Sequence, residues 1–82
     1  MSAHAYIQYA DVPDNLTASS RQHIDDVTKA RMVAFDGCPL VGQLDPVGDR
    51  LQVEYPFPRN ADLRNQLVQW FVHWGIHFTV VM

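Results

Sequence analysis

From Asn65 to Met82 the chain reads NQLVQWFVHWGIHFTVVM, eighteen residues with no Asp, Glu, Lys or Arg. Its titratable side chains over that stretch are His73 and His77 alone. In a chain of 82 residues, no other feature constrains the fold as strongly. Such a segment supplies core, offers a surface to a partner, or builds a site around its histidines. A membrane span needs about 20 predominantly apolar residues. Here Gln66, Gln69, His73, Gly75, His77 and Thr79 interrupt the run, so no span is expected.

The segment divides at Gly75. Before it, Asn60 is placed to cap a helix, with Asp62 in the first turn where the helix dipole favours a carboxylate. On a helical wheel Leu63, Leu67, Trp70, Phe71 and Trp74 fall within about 100°, the width of a core-facing stripe. Gly75 is the expected left-handed cap. After it, Ile76 to Met82 reads as a last strand with Ile76, Phe78, Val80 and Met82 on one face. Much of the missing charge is thus explained by burial, with two Trp and two Phe between Trp70 and Phe78.

Upstream, Ala5 to Ala10 (AYIQYA) reads as a first strand and DVPDN as a turn. Ser19 to Gln22 (SSRQ) has capping-box spacing, which predicts a helix starting between Thr17 and Ser20 with Ile24 and Val27 on its apolar face. Residues 31–44 (RMVAFDGCPLVGQL) set an Asp-Gly pair between two apolar runs, a hairpin signal preferred over running the first helix on to Phe35. A turn over Asp45–Asp49 leads into RLQVEY, where Leu51, Val53 and Tyr55 face one way and Arg50, Gln52 and Glu54 the other. Pro56 and Pro58 end that strand.

The expected order is β-α-β-β-β-α-β, or a ferredoxin-like β-α-β-β-α-β if the first helix continues. Either gives one α+β domain over residues 1–82, a two-layer sandwich with two helices on one face of a mainly antiparallel sheet. The inner α-β-β-β-α order is also the topology of double-stranded-RNA-binding domains. No motif of that family is present, so no resemblance is carried.

Charge narrows the function. A net charge of −3, with five Arg and one Lys spread thinly, provides no basic stripe for phosphates. Arg59 and Arg64 flank the second helix start, but Asp62 stands between them. These features argue against nucleic acid. Cys38 is the only cysteine, so no internal disulfide forms and a reducing compartment, the cytoplasm, is expected. The opening MSAHAYIQYADVPD lacks the cationic start and apolar run of a signal peptide.

Three groups could carry chemistry. His73 and His77 have H-x3-H spacing, which binds zinc when both rings share a helical face, with Cys38, His4 or His23 completing the set. Gly75 between them works against convergence, so neither metal nor cofactor is expected. Cys38 lacks any adjacent base by sequence, and Ser19 and Ser20 read as caps. No enzyme is expected.

Val68 and Val72 lie about 140° and 180° from Leu63 on the wheel, away from the core stripe. The last strand carries neither charge nor proline to guard an edge. Val68, Val72, His77, Thr79 and Val81 are therefore the expected partner-binding residues. The expectation is a small non-catalytic protein-binding module of inhibitor or adaptor type, of a size that phages and mobile elements encode, binding a partner or a second copy as a homodimer. The alternatives are a metal protein or enzyme using His73, His77 and Cys38, or a nucleic-acid binder built like a double-stranded-RNA-binding domain.

Overall fold

A computed structural model describes residues 3–82. Six strands and two α-helices follow in the order β1 (His4–Gln8), α1 (Asp14–Ser19), β2 (Arg21–Ile24), β3 (Arg31–Ala34), β4 (Gly42–Val47), β5 (Arg50–Pro56), α2 (Ala61–His73) and β6 (Phe78–Val81). A 3-10 turn over Tyr9–Asp11 joins β1 to α1. The strands form one sheet in the order β2-β3-β4-β5-β1-β6, with every pairing antiparallel.

Leu16 of α1 and Leu67, Trp70 and Phe71 of α2 join Ala5, Ile7, Val33, Leu44, Val53 and Tyr55 in one buried cluster. Both helices therefore lie on one face of the sheet, the two-layer α+β arrangement that the residue pattern predicts. Neither expected element order holds, because a further strand, β2, stands where a helix is predicted.

That helix, starting between Thr17 and Ser20, is absent. Ser19 and Ser20 turn their hydroxyls back onto α1, donating to Asn15 O at 3.0 Å and Thr17 O at 2.7 Å, so they close a helix instead of opening one. Arg21–Ile24 then runs as an edge strand paired to β3. Asp25 Oδ1 accepts from the N–H groups of Val27 at 2.8 Å and Thr28 at 2.9 Å. Those bonds hold its carboxyl below the usual range and fix a turn, which Lys29 completes in the left-handed region at φ 62°. Ile24 and Val27, the expected apolar face, are 55% and 91% exposed.

The remaining elements follow the sequence pattern with shifted ends: β1 stops at Gln8 short of Ala10, α1 takes in Asp14 and Asn15 of the expected turn, and β6 spans Phe78–Val81 within the expected 76–82, leaving Met82 exposed. The Asp-Gly hairpin is β3–β4, although its ladder closes at Val33↔Gly42 and leaves a loop over residues 35–41. The predicted Asp45–Asp49 turn is narrower, since β4 runs on to Val47 and pairs with Arg50 across Gly48-Asp49. Val53 and Tyr55 are fully buried, while Leu51 on the same face is 39% exposed near the hairpin tip. Asn60 caps α2, its Oδ1 accepting from Asp62 N at 2.9 Å and Leu63 N at 3.2 Å. At the other end Gly75 N–H donates to Val72 O and Ile76 N–H to Phe71 O, a Schellman pair that needs the φ of 66° Gly75 adopts. Ile76 is buried by this turn, and the chain is aimed into β6.

Candidate functional site

The sheet has two edges, and they differ in kind. β2 carries Arg21, Gln22, His23 and Ile24, all exposed, a short polar edge with a cation in it. β6 is FTVV, paired to β1 on one side through Ile7↔Phe78, Tyr6↔Thr79, Ala5↔Val80 and His4↔Val81. Its other side is the end of the sheet. A row of backbone N–H and C=O groups there faces outward with no charged residue, proline or bulge in the strand.

Phe78 and Val80 turn toward the helix layer and pack on the core, Phe78 meeting Phe71 with ring centroids 5.0 Å apart. Thr79 and Val81 alternate onto the opposite, uncovered face, where both are exposed. His77 is exposed just before the strand.

Trp70 turns the other way along α2. It stacks on Phe35 at 5.8 Å and donates its indole N–H to Asp36 O at 3.2 Å, so that flank of the helix faces the β3–β4 loop. The opposite flank carries Arg64, Val68 and Val72 in turn. Arg64 lines a cleft with Met82, which locates this flank along the free edge of β6. Val68 is half-buried there and Val72 is 67% exposed. The five residues singled out for partner binding thus border one side of the molecule: Val68 and Val72 on the helix layer, His77, Thr79 and Val81 along the edge strand. With Met82 at 83% exposure, this side is largely apolar, and no Asp, Glu, Lys or Arg follows Arg64 in the sequence.

Comparison with protein-family models, with curated proteins and with solved structures finds no match for this chain. The local chemistry must carry the functional reading.

The metal set does not converge. His73 opens on a cleft with Gly37, Pro39, Gln66 and Trp70, whereas His77 lines one with Tyr6, Gln52 and Thr79 on the uncovered face. Among the described residues, no three His, Cys, Asp or Glu side chains are grouped to hold a metal ion. Cys38 is half-buried beside Tyr55. Burial pushes its thiol pKa up, outweighing the Leu40 N–H and the Tyr55 hydroxyl, so the thiolate a nucleophile needs is disfavoured. Burial also pushes the Tyr55 hydroxyl up.

Sequence pattern alone misses two features. On the uncovered face, the pairings set His23, Met32, Gln43, Glu54, Tyr6 and Thr79 in one transverse row from edge to edge. In its middle His4 Nδ1 lies 3.4 Å from Glu54 Oε1, and the Gln43 amide donates to both Asp45 oxygens at 3.1 Å. Partial burial, then the charges of Glu54 and Asp45, push the Tyr6 phenol up. Alternation in β1 and β5 marks these residues as solvent-facing, but only the strand order makes them neighbours. The second feature is the cleft of about 400 Å³ where Arg59 and Arg64 meet the end of β6.

Proposed function

We propose that this protein is a non-catalytic protein-binding module that accepts an extended segment of another protein as a seventh strand on β6. The observation that carries the reading is the unguarded β6 edge, bordered by the exposed Val72, Val81 and Met82. Strand addition uses main-chain hydrogen bonds for affinity and alternate side chains for specificity. On β6 the incoming strand would meet Phe78 and Val80 on the helix side, next to Val68 and Val72. The metal and enzyme reading has no converging ligands or activated nucleophile among the described residues. The nucleic-acid reading lacks a cationic face, because the transverse row across the open sheet centres on Glu54 beside Asp45. No helix among the described residues is long and apolar enough to cross a membrane.

The test is selection from a displayed library of random twelve-residue peptides, followed by hydrogen exchange. Enriched peptides should slow exchange at the amides of Phe78–Val81. A Thr79→Lys/Val81→Lys variant, charged on the solvent side of β6, should keep the wild-type melting temperature and lose at least tenfold in affinity. Binders that protect only the groove between α2 and the β3–β4 loop, or bind the lysine variant unchanged, would overturn the reading. A wild-type protein that sediments as a dimer with β6 amides already protected would make a second copy the occupant.

A further inference from the structure

The edge does not end in neutral surroundings. Beside Met82 opens the cleft of about 400 Å³, walled by Phe57, Pro58 and Met82 and bearing Arg59 and Arg64. Among the described residues, no Asp or Glu side chain lines it. Arg64 lies over the Phe57 ring, Cζ 5.9 Å from the centroid. Neither arginine has a carboxylate partner within 4 Å among the described residues. His4 borders the same cleft, with its Nδ1 3.4 Å from Glu54 Oε1. Arg59 directly precedes Asn60, whose side chain already takes the Asp62 and Leu63 N–H groups, and Asp62 stands in the first turn, so the cleft's positive charge comes from the two arginines. In a protein of net charge −3, two unpaired guanidinium groups share one apolar-walled cleft.

We propose that this cleft binds a carboxylate of the partner strand, so that the segment received by β6 is acidic at the end lying beside Met82. The inference rests on strand addition at β6 and names the chemistry of the occupant. The antiparallel sense gives the more stable pairing. In that sense the end beside Met82 is the amino-terminal end of the incoming segment. The partner is then an extended peptide that begins with Asp or Glu and continues with apolar residues facing Phe78 and Val80. Arg64 supplies the planar fork that a carboxylate matches in two parallel hydrogen bonds, and Arg59 supplies a second cation at the mouth. The rest of β6 is uncharged, so this end sets both the direction and the register of the added strand.

Two displayed libraries decide it, identical except that one fixes Glu and the other Lys in the first two positions. Each is selected against the wild type and against Arg59→Glu/Arg64→Glu. The wild type should draw β6-protecting binders at least tenfold more often from the Glu library, and the charge-reversed protein should reverse that preference. Arg64 is half-buried, so Arg59→Glu alone, at an exposed site before the helix cap, serves as a second variant and should weaken the Glu-library peptides several-fold. That loss should shrink in high salt. If peptides protecting Phe78–Val81 come equally from both libraries and neither variant changes the preference, the carboxylate inference fails while strand addition stands. If neither library yields a peptide that protects β6, strand addition fails and this inference with it.

Discussion

Phe71→Ala should remove about 3–5 kcal/mol of folding free energy, the range for deleting a buried phenyl ring. A domain of this length has roughly 4–12 kcal/mol in total, so the variant should be largely unfolded or melt far below the wild type. Phe71 is fully buried and joins three parts of the core. Its ring lies 5.7 Å from Tyr55 of β5, 5.7 Å from Trp70 and 5.0 Å from Phe78 of β6. Its carbonyl also accepts the Ile76 N–H that turns the chain into β6, and that bond survives the substitution. The loss is therefore one of packing. Thermal unfolding by circular dichroism is the check. A melting temperature within a few degrees of wild type would mean that α2 does not seat its stripe on the sheet.

Gly42→Ala should cost about 1–3 kcal/mol from a single added methyl group, the range for an overpacked core. A Cβ built at Gly42 would lie 2.4 Å from Val53 Cγ1 and 3.0 Å from two atoms of the Tyr55 ring. Gly42 starts β4 opposite Val33, and Val53 and Tyr55 of the next strand fold over the space its side chain would occupy. At about 4–8 °C per kcal/mol for a domain of this size, the melting temperature should fall by roughly 5–20 °C. The cause can be isolated by a double-mutant cycle. In a Val53→Ala background the clashing methyl is gone, so the same Gly42→Ala change should cost less than half as much. An equal cost in both backgrounds would place the strain elsewhere.

The two helices differ in how far their sequences reveal them. For α2, the Asn60 cap and the Gly75 stop are found in place, and of the expected stripe Leu67, Trp70 and Phe71 are buried, Trp74 is half-buried, and Leu63, in the first turn, is 38% exposed. Local and tertiary preferences agree there. Between Thr17 and Ala30 they do not. Ser19 and Ser20 satisfy a capping pattern in either direction, and their hydroxyls close α1. Ile24 has the apolarity of a helix face, but it sits on an edge strand that nothing covers. Its pairing with β3 is a tertiary fact without a local signature. The association edge is partly legible, since a strand lacking charge and proline can be read directly from residues 76–82. The arginine cleft is not, because Arg59, Arg64 and Met82 become neighbours only once β6 lies against β1.

Strand order also dictates a sequence of events in folding. β2, β3, β4 and β5 are consecutive in the chain and in the sheet, so each pairing closes a short local loop. β1 must instead find β5 from the far side of α1 and the whole meander, and β6 can pair only with β1. Closing a loop of about 45 residues costs roughly 1.6 kcal/mol more than closing one of seven, before any contact offsets it. The meander should therefore assemble first, β1 next and β6 last. Pulse-labelling exchange would register this as late protection at Phe78–Val81, and early protection there would refute it. A chain that has not finished folding thus has a different terminal edge, β5 or β1 in place of β6. Only the finished molecule displays the strand proposed to receive a partner.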